Sequence, residues 1–233
     1  MLTQLLFSGG NNIKTYIIQL LLSLPIILLA LSLHETAHGF VAYKLGDPTA
    51  KNLGRLTLNP IKHLDPLGFL CMLLAGFGWA KPVPINSRNF KKPRRDIALT
   101  SIAGPVSNLI LAFIFVIILR VVDEPLTRVM YRADFIMGNS PYIFIVQYTY
   151  TFIYIAISLN INLAVFNLLP IPPLDGSKIL YMFLPPKMYF KIAPYERYIS
   201  LAFMLLLILG IISPIISAVS DYIVYFMFNL VGF

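Results

Sequence analysis

Charged residues are sparse along the chain, and the uncharged intervals between them delimit its elements. Between Lys14 and His34 lie 19 residues without charge, and the helical pattern continues to Leu45 before Gly46-Asp47-Pro48 stops it. A membrane-crossing helix needs about 20 apolar residues, so this run predicts a span. Pro25 lies within it, and its missing N–H predicts a kink. Residues 66–80 form a second uncharged run, too short for an ordinary crossing, which predicts a re-entrant or half-depth segment. Residues 97–119 are a third. The stretch 135–174 is uncharged over 40 residues, with a helix expected over about 142–167. Residues 198–220 predict another span, and 221–233 a short final helix or an interfacial tail. The pattern predicts an all-α polytopic membrane protein with about four to six transmembrane helices. No internal repeat is visible, and one membrane-embedded domain, 1–233, accounts for the length.

Composition agrees. Of the 233 residues, 58% are apolar and 12% charged, about half the charged fraction of a soluble domain. The single cysteine, Cys71, excludes an intramolecular disulfide and a Cys-rich zinc site. The net charge of +8 sits in short loops, where membrane topology and anionic lipid headgroups account for it. No basic stripe is interleaved with stacking aromatics, so nucleic acid is not an expected partner. The N-terminus lacks a basic n-region, and no cleavable signal peptide is expected.

The loops carry an orientation signal. Loop 81–95 holds Lys81, Arg88, Lys91, Lys92, Arg94 and Arg95 with no acid, and loop 170–197 is also rich in Lys and Arg. Loop 121–141 mixes Arg128 and Arg132 with Asp123, Glu124 and Asp134. The first two are expected in the cytoplasm and the third outside.

Residues 34–38 read His-Glu-Thr-Ala-His. On a helix, positions i and i+4 share a face, so His34 and His38 can grip one metal ion. Glu35 then stands beside the ion, where it can take a proton from water. This is the HExxH arrangement of zinc hydrolases. The alternative, two structural histidines bonded to neighbouring helices, leaves three ionisable residues within five positions of a membrane helix unexplained. Catalytic zinc usually takes three protein ligands and keeps one position open. Asp175 is the best candidate for the third, because Pro170, Pro172 and Pro173 break the preceding helix and free its carboxylate. Its other reading is an N-cap for a helix starting at Gly176.

Three segments together resemble the site-2 protease family of intramembrane zinc metalloproteases. They are His34-Glu35-Thr36-Ala37-His38-Gly39, Ala103-Gly104-Pro105-Val106-Ser107-Asn108, and Asn167 to Gly176. Asn59 to Pro66 is similar to the short bacterial members, and the resemblance covers most of residues 17–180. It implies one Zn2+ held by His34, His38 and Asp175, with Glu35 as general base and the site below the cytoplasmic surface of the membrane. It also implies that Asn108 lies near the zinc, holding substrate backbone or the oxyanion. The residue alone reads equally as an interhelical hydrogen bond. Nothing resembles the PDZ or CBS modules of some relatives, and a minimal member is expected. The compact size, by resemblance, points to a prokaryotic inner membrane.

Topology tests this independently. If the first helix runs inward, His34 lies about 26 Å from residue 17, toward the cytoplasmic end. Asp175 follows the inward end of the 142–167 helix, so the two meet at similar depth and the N-terminus is external. His63 reads as a loop residue near the site. Asn167 reads as a satisfier of backbone freed by Pro170. The expected reaction is peptide-bond hydrolysis within transmembrane protein substrates. A substrate helix must unwind first, and residues 53–58 are a candidate strand edge to receive it, in a short β-hairpin near the site. A membrane metal-ion transporter could use the same ligands, but it would not need Glu35, and transporter folds often show repeats. A proteolytically silent scaffold is opposed by the intact Glu35.

Overall fold

A computed structural model of the chain describes residues 11–75, 78–137 and 141–233. Among them are helices α1 (Asn11–Lys44), α2 (Thr49–Asn52), α3 (Pro66–Ala75), α4 (Pro93–Met137), α5 (Pro141–Leu168), α6 (Asp175–Phe183), α7 (Pro186–Ile192), α8 (Glu196–Ile208) and α9 (Ser213–Val231). Four are long and apolar enough to cross a membrane, over Ile17–Lys44, Pro93–Tyr131, Tyr142–Leu168 and Ser213–Val231.

The centre is α4 packed against α5. Ala112, Val116 and Leu119 form one buried stripe on α4, at helical spacing, and Ile153, Ile157, Ile161 and Val165 form the facing stripe on α5. Met227 of α9 closes the cluster. Lipid tails are as apolar as these side chains, so close packing and interhelical hydrogen bonds hold such a bundle. One bond lies in the half of α4 farther from the loop 81–92, where the Tyr150 hydroxyl donates to Asp123 Oδ1 at 2.8 Å and lies 3.2 Å from Thr127 Oγ1. The other end of the bundle gathers the end of α1, the start of α4 and the end of α5.

Pro25 lies inside α1, which continues through it to Lys44, close to the expected end at Leu45. Several other expected boundaries differ. The expected loop 121–141 is helix through Met137, and the next helix begins at Pro141; residues 138–140 lie outside the described residues. Pro125 removes one backbone bond without breaking α4, and the i,i+4 pair of Glu124 and Arg128 supports the turn around it. The expected span 198–220 is two helices. Gly210 takes a left-handed φ of 73° between them, and Pro214 occupies the first turn of α9, which then runs on to Val231. Their punctuation is hidden in an unbroken apolar run.

In the segment 66–80, α3 opens with Asp65 Oδ1 accepting from the Gly68 N–H at 2.8 Å. Residues 76–77 lie outside the described residues. The two ends of the segment sit side by side, joined by an antiparallel bridge between Leu64 and Ala80 and by the Lys81 N–H donating to the His63 carbonyl at 2.8 Å. That bridge is isolated, and no strand forms among the described residues. Residues 53–58, the candidate edge, are a turn followed by irregular chain.

Candidate active site

His34 and His38 stand one turn apart on α1, both buried, with ring centroids 4.6 Å apart and planes at 84°. Asp175 arrives from the start of α6. The proline-bearing segment after α5 is anchored by Leu169, Ile171 and Leu174, which pack against Phe203 and Ile212. Gly176 lets α6 press onto the end of α5, since a Cβ there would fall 2.3 Å from the carbonyl oxygens of Leu168 and Leu169. Asp175 Oδ2 comes to lie 3.2 Å from His34 Nε2 and 3.0 Å from His38 Nε2. One ligand atom from each of the three lies within 4.8 Å of the others. The N-cap reading of Asp175 fails. It is the first helical residue, Leu174 occupies the cap position, and no side-chain cap bond forms.

The residues fit zinc on their chemistry. His38 Nδ1 lies 2.7 Å from the Thr100 carbonyl. A carbonyl only accepts, so Nδ1 carries the hydrogen, and in the neutral ring, the form that binds metal, Nε2 presents a lone pair. That lone pair faces a carboxylate oxygen, another acceptor, and a shared cation resolves the conflict. Tetrahedral zinc with bonds of about 2.0–2.1 Å sets neighbouring ligand atoms roughly 3.3 Å apart, close to the separations found. Two imidazoles and one carboxylate leave the fourth position open. The room beside the ligand atoms depends on Gly104, whose added Cβ would fall 2.4 Å from His38 Nε2 and 2.6 Å from His34 Nε2.

Glu35 is placed by a group that sequence reasoning missed. Its Oε2 accepts from the Val83 N–H at 2.8 Å. The signal was present, since Pro82 and Pro84 have no N–H and leave Val83 as the local donor. Lys178, on the next turn of α6, was also missed. Its Nζ donates to Asp175 Oδ1 at 3.1 Å, leaving Oδ2 to the histidines. Asn108 is fully buried one turn beyond Gly104, and its Nδ2 has no partner among the described residues. Asn167 does not take the carbonyl freed by Pro170. Its Nδ2 donates to Leu163 O at 2.9 Å, whereas the Leu169 N–H takes the Phe166 carbonyl at 3.2 Å. His63 is a loop residue, as expected, but a buried one outside the ligand group.

Spanning helices and a His-His-Asp group with a glutamate beside it define a metallopeptidase of the membrane. Comparison with known proteins agrees. The profile of Peptidase family M50 matches residues 22–211, and the chain belongs to that family, the site-2 proteases. YwhC of Bacillus subtilis is 45% identical over 199 residues, covering 84% of this chain and 85% of the relative. Rip2 of Mycolicibacterium smegmatis is 29% identical over 210 residues, and Rip2 of Mycobacterium tuberculosis 30% over 211, each covering 88% of this chain and 72% of the relative. All three carry the name of a zinc metalloprotease. No solved structure matches the chain. The protein is an integral-membrane zinc metalloprotease of the site-2 type.

Proposed function

We propose that this enzyme hydrolyses peptide bonds in or near transmembrane segments of other membrane proteins, with zinc held by His34, His38 and Asp175 and Glu35 as the general base. The observation that carries this reading is the convergence of His34 Nε2, His38 Nε2 and Asp175 Oδ2 beside Gly104. Zinc, when bound, supplies the Lewis acid that activates water and polarises the scissile carbonyl.

The chain's own groups do the rest. The Val83 N–H holds Glu35 by Oε2, leaving Oε1 to take a proton from the attacking water and pass it to the leaving amine. The Thr100 carbonyl fixes the His38 ring, and Lys178 fixes the Asp175 carboxylate. Asn108 Nδ2, a buried donor one turn from the site, is suited to the substrate carbonyl as charge develops on it. The basic segment 81–95 lies at the same end as the site, which supports a cytoplasmic-side active centre in a prokaryotic inner membrane. The pairing of Leu64 with Ala80 supports reading 66–80 as a segment that enters and leaves the bilayer on one side. A metal-ion carrier has no use for a glutamate held beside the ligands.

Co-expression with single-span membrane proteins tests the reading. Glu35→Gln is expected to lose cleavage while retaining one zinc per chain. His34→Ala and Asp175→Ala are expected to lose both. Unchanged cleavage in Glu35→Gln rejects it as the base, and full zinc occupancy in either other variant rejects that ligand.

A further inference from the structure

His63 is the one histidine outside the ligand group, and it is more deeply buried than either ligand histidine, at 1% exposure against 5% and 6%. Its Nε2 lies 2.7 Å from the Thr57 carbonyl. Because a carbonyl only accepts, Nε2 carries the hydrogen. The same carbonyl accepts a second bond, from Thr36 Oγ1 at 2.7 Å. Thr36 directly follows Glu35, inside the metal-binding turn of α1.

The His63 backbone reaches the opposite way. Its carbonyl accepts from the Lys81 N–H at 2.8 Å, and Leu64 bridges Ala80. Arg55 Nη2 donates to the Lys81 carbonyl at 2.6 Å and lies 3.3 Å from that of Pro82. The next residue, Val83, donates to Glu35. The bonds close a ring: Glu35 and Thr36 on α1, Thr57 to His63 in the loop, Lys81 to Val83 in the strap, and back to Glu35.

We infer that His63 is a positioning residue for Glu35, joining the loop behind Thr36 to the strap whose Val83 N–H holds the glutamate. The inference rests on Glu35 being the base. His63 touches neither substrate nor metal ligands and acts through the two segments it links. Removing its side-chain donor lets the Thr57 carbonyl and the Lys81–Val83 strap move apart. Glu35 then loses its fixed orientation while the histidines and Asp175 keep theirs.

The test uses the full-length enzyme and a single-span membrane protein that the wild type cleaves, with kcat, KM and zinc content measured together. His63→Leu is expected to lower kcat by about tenfold or more, toward the range of a lost general base, with KM within about twofold and one zinc per chain. His63→Gln, which keeps an N–H donor, is expected to restore kcat to within about threefold of wild type. Thr36→Val removes the other bond to the same carbonyl, and the double variant should fall no further than His63→Leu alone. Unchanged kcat in His63→Leu, zinc lost in step with kcat, or full additivity overturns the inference. If His63→Leu does not accumulate, Thr36→Val decides alone: a lowered kcat with full zinc supports the brace, and an unchanged kcat overturns it. Glu35→Gln in the same assay separates the two readings. If it is inactive while His63→Leu is fully active, only the brace is rejected; if it is active, the base assignment falls and the brace with it.

Discussion

Gly104 of α4 lies against His38 of α1 so closely that a methyl group on it would reach within 2.4 Å of Nε2. It would also meet His34 Nε2 at 2.6 Å. The glycine is thus the floor of the site. Elsewhere in a helix, Gly to Ala stabilises by about 1 kcal/mol. Here Gly104→Ala is expected to separate stability from function. The metal-free protein should melt no lower than the metal-free wild type, while zinc affinity falls by roughly 10- to 100-fold, as for other disturbances beside a metal site. Thermal melts with and without chelator, alongside zinc titration, check this. Wild-type zinc affinity would show that the methyl is accommodated without displacing the ligand nitrogens, and would reject the assignment.

Asp47 controls the loop that carries Val83. Its carboxylate accepts from the Asn86 N–H at 2.7 Å, from Asn89 Nδ2 at 2.6 Å, and from the Thr49 hydroxyl and N–H. Burial alone would raise its pKa, but these four donors outweigh it and hold the carboxyl below its usual range. The folded pKa is lower than the unfolded value of about 3.9, so the stabilisation is complete above that value and is lost as pH falls through the folded pKa. Asp47→Asn should lower the melting temperature at pH 7 by a few degrees and flatten its fall between about pH 5 and pH 3. Melts across that range in detergent decide it, and parallel curves for the two proteins would reject the assignment.

How much of this was legible in the sequence depends on which atoms carry the role. Side chains at helical spacing could be read directly, as His34, Glu35 and His38 were. Asp175 was legible because three prolines announce the helix break that frees it. Backbone groups were not: the Val83 N–H and the Thr100 carbonyl exist at every residue, and only the folded chain brings them to Glu35 and His38. Gly104 stands in a segment that the sequence marks, but its closeness to Nε2 depends on α1 meeting α4. The break at Gly210 and Pro214 was masked by the apolar residues around it, and α4 ran past 119 because helix continues through Pro125 and the Glu124–Arg128 pair. Charge marks where a span leaves lipid, and says little about where its helix ends.

The orientation yields to labelling. Arg94 and Glu124 lie on one helix, 30 residues apart, or about 45 Å. That exceeds a hydrocarbon core of about 30 Å, so they face opposite sides of the membrane. In a Cys71→Ser background, Arg94→Cys should react with an impermeant maleimide only in inverted vesicles, and Glu124→Cys only in intact spheroplasts. The reverse pattern would put the active centre on the outer side.

Metal removal should act on folding as well as on turnover. His34 and His38 come from α1 and Asp175 from the start of α6, so an ion shared by the three would tie together segments more than 130 residues apart in sequence, His34 and Asp175 being separated by 141. A ligand that binds only the folded protein stabilises it by about 4 kcal/mol at a thousandfold excess over its dissociation constant. Chelation is therefore expected to abolish cleavage and lower the melting temperature, with both restored by stoichiometric zinc. Asp175→Ala, which cannot close the ion between the two elements, should melt near the metal-free wild type and show little response to chelator. Glu35→Gln should keep the full zinc-dependent shift despite the loss of activity proposed for it, because its side chain is bonded to the Val83 N–H and lies outside the group of three ligand residues. A chelator shift that survives intact in Asp175→Ala would mean that the ion is held elsewhere and that Asp175 serves only to order the two histidines.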